Sequence, residues 1–336
     1  MFITADTLDD LLRLVFERLL LPQPKFKATK EYQFTELFGP VLCLTDARAR
    51  LSRTETKGKL FSALGELLWY LSGSTSAMFM NYYVPANFYS NEAEPGTDEV
   101  RSGYGVRLND FDGINQIRNV IDLLKIKRTS RRAVIQLFDA SDLARNFTSI
   151  PCTCTLQFLI RDDRLNMLVN MRSNDAFLGL PHDIFAFTML QEIIARSVTA
   201  EVGEYRHGVG SLHLYEDRET DARQYLDEAF QDKIAMPIMP TGDPWPSISR
   251  LLAVEKRLRV DGDRSIEVAD LDPYWQDLCR LLLVHRLSKD RDQGAIERVR
   301  SEIANESYRS FINGKIDGVR DALAKVAAQP KDETHP

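Results

Sequence analysis

The sequence is poor in cysteine, with only Cys43, Cys152, Cys154 and Cys279 among its 336 residues. Four cysteines are too few for a disulfide framework in a chain of this length, which favours a reducing compartment. No apolar run reaches the roughly 18 to 20 residues that a membrane helix needs. Residues 1–10 lack the basic start and apolar centre of a signal peptide. We therefore expect a cytoplasmic protein that does not enter a membrane.

Several common catalytic motifs are also missing. The sequence contains no Gly-x-Gly-x-x-Gly, Walker, His-Glu-x-x-His or Gly-x-Ser-x-Gly pattern. This argues against the usual dinucleotide-binding, triphosphatase, zinc-protease and serine-hydrolase classes. Cys152 and Cys154 stand too close for the usual zinc hook and no second pair follows, so we predict no metal site. The net charge of −6 argues against a nucleic-acid-binding surface.

The sequence does contain a substantial core and a clear pattern of elements. Its 44% apolar and 27% charged residues suit a globular protein. Apolar periodicity predicts helices over 7–21, 60–72, 114–124 and 183–195, and strands over 41–44, 133–138, 155–160, 165–171 and 204–214. The polar turn over 161–164 suits a hairpin, and 77–109 reads as a loop.

A proline cluster between 240 and 246 marks a change of character, because short charged amphipathic helices follow it. We expect a first domain over 1–244, a helical extension over 245–328 and a disordered tail over 329–336.

Cys152 follows Pro151 at the start of a predicted strand. Most free cysteines are small core residues. Against that interpretation, the arginines at 131, 132 and 172 would lower the pKa of the thiol and favour a nucleophilic thiolate. Cys154 would share a strand face with Cys152 and is better explained by packing.

Other polar residues after Cys152 also have two interpretations. Arg172 ends an apolar strand, and a guanidinium there suits a phosphate group. His213 and Tyr215 would share a strand face and could bind a pair of hydroxyls, but a buried core His and Tyr explain the spacing equally well. His182 and His207 carry weaker signals.

Seven motifs follow one another along the chain: Glu66-Leu-Leu-Trp-Tyr-Leu-Ser-Gly73, Tyr104-Gly105, Arg131-Arg132, Pro151-Cys152, Arg172-Ser173-x-Asp175, Leu178-Gly179-Leu180-Pro181 and Gly210-x-x-His213-x-Tyr215. Together, over roughly residues 55–220, they resemble the thymidylate synthase family. The resemblance implies an α/β (α+β) fold with a mixed sheet covered by helices, and a homodimer whose sheets pack back to back. The residues after about 245 match nothing in that family and form the helical C-terminal extension.

The resemblance implies catalytic roles for four positions. Cys152 looks like the nucleophile that adds to C6 of the pyrimidine, and Glu66 like the acid that organises water and proton transfer. Tyr104 resembles the tyrosine near the C5 proton, and Asp183 stands where the family holds the base.

The resemblance also implies ligands for the nucleotide and for 5,10-methylenetetrahydrofolate, the one-carbon donor of the family. The nucleotide positions are Arg131 and Arg132 from the partner subunit, Arg172, Ser173, Asp175, Ala176, His213 and Tyr215. The folate positions are Asp175, Leu178 and Gly179. Lys27 or Lys30 would complete the phosphate site.

Asp183 departs from the family, because synthases carry Asn after Leu-Gly-Leu-Pro-x. Uracil offers an N3–H donor and an O4 acceptor, whereas cytosine offers an N3 acceptor and an N4 donor. A carboxyl can accept from N4 while it holds a proton shared with N3, although an Asn amide could flip to serve either base. Asp at this position resembles the cytidylate hydroxymethylases of the family.

Further departures agree with this interpretation. None of the three tryptophans lies within 81–98, where synthases cover the reaction intermediate with Trp, so we expect water to reach it. The polar tail lacks the apolar end that closes synthase sites. Thr153 stands in place of the usual His, and Ser211-Leu212 replace Asp-Ala, which alters the local hydrogen bonds.

We therefore predict a cytidylate 5-hydroxymethylase that uses methylenetetrahydrofolate. Ala176 is smaller than the valine common in synthases and would leave room for a 2′-hydroxyl, which favours CMP over dCMP. A thymidylate synthase acting on dUMP and a non-catalytic nucleotide-binding dimer are the two alternatives.

Overall fold

The computed structural model describes residues 1–27, 32–84 and 88–327. The chain divides into two compact units, Met1–Pro244 and a second unit that begins at Trp245. Lys30 and the tail over 329–336 lie outside the described residues, so the expectations for them stay predictions.

One mixed β-sheet organises the first unit. Its described strands are β1 (Phe2–Ala5), β2 (Phe26–Lys27), β3 (Gln33–Phe38), β4 (Val41–Leu44), β5 (Val134–Gln136), β6 (Thr153–Arg161), β7 (Arg164–Asp175) and β8 (Glu201–Tyr215). The main order is β1-β4-β8-β7-β6-β5, with β3 beside the last residues of β8. β1 and β4 are parallel, as are β7 and β8, and the other pairs are antiparallel.

Helices cover this sheet. The described helices of the first unit are α1 (Leu8–Leu19), α2 (Leu60–Leu71), α3 (Ala77–Asn81), α4 (Tyr104–Asn109), α5 (Gln116–Ile126), α6 (Gly179–Ser197) and α7 (Glu219–Asp227). α6 is the central one, since it packs on β7 and β8 and against α2. The mixed sheet covered by helices that the sequence predicts is thereby confirmed.

The two faces of the sheet differ in burial. One cross-strand row is buried throughout: Leu42, Ile135, Leu156, Val169 and His207. The adjacent row, which points to the other face, is half-buried or exposed at Val134, Gln157, Leu168 and Arg206. Because side chains alternate along a strand, the sheet has one core face and one face that a single chain leaves accessible.

The hairpin predicted over 161–164 is confirmed. β6 and β7 pair from Arg161 and Arg164 outward, and the two turn residues, Asp162 and Asp163, both have positive φ (49° and 55°). Aspartate tolerates this left-handed conformation better than most side chains, which is why two acids can close the turn.

Several boundaries predicted from the sequence are wrong. α6 begins at Gly179, so Asp183 lies inside the helix and is not its first residue, as the sequence had predicted. Pro181 is tolerated because residues in the first turn of a helix need no backbone N–H donor. Tyr104–Asn109, within the predicted loop, is helical. Ile114 precedes α5 and is 50% exposed.

Two further features, in strands β5 and β6, differ from what the sequence predicts. β5 begins at Val134, beyond the arginine pair that was expected to open it. A bulge lies between Thr153 and Thr155 at the start of β6. Because a bulge interrupts the alternation of side chains, alternation no longer supports placing Cys152 and Cys154 on one strand face, and that placement stays a prediction.

The second unit is helical, as the sequence predicts. Its described helices are α8 (Trp245–Lys256), α9 (Pro273–Lys289), α10 (Gln293–Glu302) and α11 (Arg309–Ala327). Asp272 and Asp292 cap α9 and α10 with their side chains. Among the described helices, none is both long and apolar enough to span a membrane.

Candidate active site

Three strand ends converge around Cys152. The cysteine directly precedes β6, and the last residues of β7 and β8 lie side by side, with Ser173 in register with Ser211 and Asp175 in register with His213. The peptide N–H of Arg172 donates to the Cys152 carbonyl at 2.8 Å, which fixes the end of β7 against the cysteine. The parallel pairing of β7 and β8 thus gathers residues that the sequence separates by about forty positions.

The guanidinium of Arg172 lies against the Cys152 thiol. Its Nη2 is 3.5 Å from Sγ of Cys152, and its other contacts are the carbonyls of Pro151 at 2.9 Å and Ile150 at 3.2 Å. The side chain stays exposed. A guanidinium held at the surface by carbonyls keeps N–H groups available for an anion.

The Cys152 thiol is less acidic than the sequence suggests. Burial raises its pKa, and the carboxyls of Asp183 and Glu92 raise it further, while Arg172 alone among the arginines lowers it. Within one chain only Arg172 supplies the expected depression of the thiol pKa, and the contribution of Arg131 and Arg132 from a partner subunit stays a prediction. A ligand that offsets the burial and the two carboxylate charges would favour the thiolate.

Tyr104 is held beside the cysteine by the next residue. The Thr153 amide and hydroxyl donate to the Tyr104 phenol oxygen at 3.1 and 2.9 Å. Thr153, which stands in place of the family's His, therefore orients the Tyr104 phenol. Gly105 lets α4 approach the 73–74 segment, since a Cβ there would lie 2.4 Å from the Ser74 carbonyl oxygen.

Two buried carboxyls form the polar centre of the site. Glu66 is 8% and Asp183 7% exposed. Burial raises the pKa of Glu66 to about 7, opposed by a short hydrogen bond from the Tyr70 hydroxyl. Burial also raises the pKa of Asp183, and charge repulsion from Glu66 raises it further. Both groups are thus poised to hold a proton near neutral pH.

Phenols surround this pair, and two of them, Tyr89 and Tyr205, were missed by sequence reasoning. Burial raises the pKa of each of these tyrosines, and the charge of Asp183 or Glu66 raises it further: Tyr70, Tyr89, Tyr104 and Tyr205. Tyr89 belongs to a single helical turn over 89–91, in a segment with no recognisable motif. Its ring meets that of Trp69 edge-on at 5.2 Å.

Glu92 is a second residue that the sequence did not reveal. Its carbonyl accepts from the Ser149 hydroxyl at 2.9 Å, three residues before Cys152. Burial raises the pKa of its carboxyl. Its negative charge adds to the burial that raises the pKa of both Cys152 and Tyr215.

Asp175 shapes the turn that leads into α6. One oxygen of its carboxylate accepts from the amides of Phe177 and Leu178 at 2.7 and 2.9 Å. Lys57, also missed from the sequence, lies 3.5 Å from the centre of the Phe177 ring, and burial lowers its pKa to about 7 while Asp175 opposes that shift. Leu178 is 38% exposed beside them.

His213 and Tyr215 lie together at the end of β8, with ring centres 5.0 Å apart. Burial, together with the charges of Asp175 and Cys152, raises the pKa of Tyr215. Ala176 differs from its neighbours, since its side chain is 0% exposed. The expected opening for a 2′-hydroxyl at Ala176 is therefore not present on the surface of this chain.

Arg131 and Arg132 do not join the site within one chain. Both are exposed near the edge strand β5, and within the described part of the chain their guanidinium groups form no ion pair or hydrogen bond. Exposed arginines at a sheet edge are available to another molecule.

A cavity of about 320 Å³ lies elsewhere, at the opposite end of β7 and β8 from Asp175. Three arginines line it, but Arg196 pairs with Glu201, and Arg48 and Arg164 donate to carbonyls. We assign no ligand to it. No cluster of three or more His, Cys, Asp or Glu side chains suited to a metal occurs among the described residues.

Comparison with known proteins agrees with this geometry. The family model described as Thymidylate synthase matches residues 43–244. The chain belongs to the thymidylate synthase family. A thymidylate synthase from Francisella philomiragia subsp. philomiragia is 32% identical over 189 residues, which cover 52% of this chain and 68% of that protein.

Membership of the thymidylate synthase family shows the general class of reaction. The protein is a one-carbon transferase that acts on a nucleotide and uses methylenetetrahydrofolate. The match ends at the boundary of the first unit. The site described above lies wholly within the matched residues.

Proposed function

We propose that this protein transfers a one-carbon unit to C5 of a cytosine nucleotide and hydrates it, giving 5-hydroxymethyl-CMP or 5-hydroxymethyl-dCMP. The observation that carries the proposal is the buried carboxyl of Asp183, whose pKa is raised by burial and by Glu66. A carboxyl that keeps a proton near neutral pH can donate to N3 of cytosine and accept from its N4 amino group. If Asp183 lost this proton, the resulting carboxylate would repel O4 of uracil, so neither base would gain the paired hydrogen bonds that cytosine makes with the protonated group.

Cys152 is the proposed nucleophile for C6 of the base. Donation of a proton towards N3 by Asp183 withdraws electrons from the ring and makes C6 more electrophilic. Sharing that proton with the base also places positive charge beside the forming thiolate, and Arg172 adds its own charge 3.5 Å from Sγ. The ligand would thus offset the effects that raise the pKa of the free thiol.

Glu66 and Tyr104 are the proposed proton-transfer residues. Glu66, with a pKa of about 7, can both accept and donate a proton at physiological pH. The Tyr104 hydroxyl, oriented by Thr153, is placed to help remove the C5 proton. C5 of the Cys152 adduct would first take the one-carbon unit from methylenetetrahydrofolate, and loss of the C5 proton with release of tetrahydrofolate would leave an exocyclic methylene on the base. Water positioned by Glu66 would add to that methylene to give the hydroxymethyl group, and Cys152 would then leave C6.

Tyr89 changes the prediction that residues 81–98, which lack tryptophan, leave the reaction intermediate open to water. The segment without tryptophan still supplies an aromatic ring near Glu66 and Asp183, but this ring carries a hydroxyl. A phenol can hydrogen-bond water where an indole face excludes it. Polar aromatic cover supports hydration over the hydride transfer that yields a methyl group.

The residues around Asp175 fit a folate. Leu178 offers an exposed apolar surface next to the Asp175 carboxylate, and the buried Lys57 amine and Phe177 ring lie against each other behind it. Apolar and polar groups together suit a pterin with a charged tail. Asp175, Leu178 and Gly179 would hold it, and methylenetetrahydrofolate supplies the one-carbon unit when bound.

The phosphate and sugar sites complete the proposal. Arg172 and Ser173 would bind the phosphate together with Arg131 and Arg132 of a second copy, and His213 and Tyr215 would bind the 3′-hydroxyl. The accessible face of the sheet, with Val134 and Leu168 in one row, supports a homodimer. The choice between ribose and deoxyribose rests on the small size of Ala176 and has no support from its burial.

A product assay tests the proposal. The protein is incubated with methylenetetrahydrofolate and CMP, dCMP, UMP or dUMP, and product mass is measured. Hydroxymethylation adds about 30 Da and methylation about 14 Da, by the chemistry of the two transfers. We expect about 30 Da on a cytosine nucleotide. A gain of about 14 Da on dUMP would instead establish the second candidate, thymidylate synthesis, which the name of the Francisella relative favours.

A further inference from the structure

A buried chain of hydrogen bonds lies behind Asp183. The side-chain nitrogen of Asn174 is 3.0 Å from Nε2 of His207, and Nδ1 of the same ring is 2.7 Å from the Tyr205 hydroxyl. Asn174 is 3% exposed, and His207 and Tyr205 are 0% exposed. The hydrogen-bond chain crosses from β7 to β8 beneath the site, and a side-chain hydrogen bond from Asn174 opposes the rise in the pKa of Asp183.

This chain of hydrogen bonds fixes the orientation of the Asn174 amide. An amide nitrogen can only donate, so Nε2 of His207 must accept and its ring proton must lie on Nδ1, facing Tyr205. Burial lowers the pKa of His207 to about 3, which keeps the ring neutral and able to accept. Turning the amide would require His207 and Tyr205 to reverse their hydrogen bonds as well, out of contact with water.

The side chains of Asn174 and Asp183 both approach Gly179. A Cβ on Gly179 would lie 2.8 Å from Oδ1 of Asn174 and 3.5 Å from Oδ2 of Asp183. The absence of a side chain at 179 therefore leaves room for the amide and that carboxyl oxygen side by side.

The hydrogen bond from Asn174 matters because a protonated carboxyl can present its donor and its acceptor in two different orders. With its proton on one oxygen it matches cytosine, and with the proton on the other it matches the N3–H and O4 of uracil. An amide N–H that donates to one carboxyl oxygen leaves the proton on the other oxygen, and an amide of fixed orientation therefore favours one of these two arrangements.

We propose that Asn174, held by His207 and Tyr205, is a positioning residue that fixes which oxygen of Asp183 carries the proton and so sets the preference for cytosine over uracil. This inference rests on the proposed function, in which Asp183 reads the base.

The test measures binding, not turnover. In a Cys152→Ala background, which cannot form the covalent adduct, calorimetry gives the affinities for CMP, dCMP, UMP and dUMP. Asn174→Leu removes the amide at nearly constant volume, and His207→Phe removes the acceptor that orients it. We expect the cytosine-to-uracil affinity ratio to fall about tenfold in Asn174→Leu, the effect of about 1.4 kcal/mol in one neutral hydrogen bond, and to fall in His207→Phe also.

The control is Thr188→Val on α6, the helix that carries Asp183; its hydroxyl bonds only within that helix. It should leave the ratio unchanged, and circular dichroism identifies the folded variants. A folded Asn174→Leu or His207→Phe that keeps the wild-type ratio within twofold overturns this inference alone. A Cys152→Ala protein that itself prefers uracil nucleotides overturns the proposed function and this inference together.

Discussion

The negative charge of Glu66 raises the pKa of Asp183, across a space that both carboxyls share with four phenols. Two acids in one dry site cannot both ionise freely, so an ionised Glu66 helps to keep the proton on Asp183. Such a pair suits a reaction that needs a proton donor at the base and a proton acceptor at water. Ionisation of this buried pair also destabilises the fold as the pH rises.

The first prediction concerns that stability. The folded-state pKa of Glu66 is raised from 4.5 to about 7, so its stabilising contribution is full below pH 4.5 and is lost as the pH rises through 7. Glu66→Gln should therefore be more stable than the wild type at pH 8, by up to about 3 kcal/mol for a shift of this size, and the difference should shrink towards pH 5. Urea unfolding at both pH values measures it. The exposed Glu99→Gln serves as the control, and an equal difference at both pH values would contradict the buried ionisation.

The second prediction concerns the pH profile of turnover. The hydrogen bond from Tyr70 lowers the pKa of Glu66, so Tyr70→Phe should raise that pKa above about 7. If ionised Glu66 is needed to position water, the acidic limb of the kcat profile moves to higher pH. Tyr225→Phe removes a phenol bonded to Asp9 at 2.8 Å and should not move it. A limb that moves to lower pH would show that Tyr70 does not act on Glu66 in this way.

The third prediction concerns the free thiol. Glu92 raises the pKa of Cys152 through its charge, so Glu92→Gln should lower that pKa and speed alkylation by iodoacetamide at pH 8. Glu94→Gln is the matched control, because that carboxyl accepts from the Thr148 amide at 3.0 Å and is not among the charges acting on the thiol. Peptide mass spectrometry separates Cys152 from the other cysteines. Equal rates in the two variants would place the Glu92 carboxyl away from the thiol.

How far the sequence could predict this site depends on how local each feature is. α2 and β7 follow from periodicity, and Cys152 and Asp183 were recognisable as parts of motifs. The Asn174–His207 contact was not, because it joins residues 33 positions apart through the pairing of two strands. The acidity of Cys152 was mispredicted because burial outweighs the one arginine that reaches it. Tyr89 escaped notice because a short irregular turn has no periodic signal.

The fourth prediction tests whether two copies share a site. Cys152→Ala removes the nucleophile, and the double variant Arg131→Glu with Arg132→Glu reverses the charges proposed to reach the partner's phosphate. Each should be inactive alone, whereas mixing and refolding them should restore up to about one quarter of the wild-type sites, because half of the dimers carry one intact site. Arg118→Glu, an exposed arginine on α5, is the control and should stay active alone. A mixture with no more activity than its components would contradict the shared site.

The fifth prediction addresses the base. Asp183→Asn replaces a carboxyl that can give its proton to N3 of cytosine with an amide, the group that the thymidylate synthases of the family carry at this position. We expect kcat/KM for the cytosine nucleotide to fall about 10- to 100-fold, since the lost hydrogen bond to a charged partner contributes about 1.5–3 kcal/mol. Affinity for the uracil nucleotide should rise, measured by calorimetry in the Cys152→Ala background. Asp175→Asn provides the comparison, because a loss there should affect both bases alike. If Asp183→Asn keeps the wild-type order of preference, the base is read elsewhere, and the raised pKa of Asp183 serves proton transfer alone.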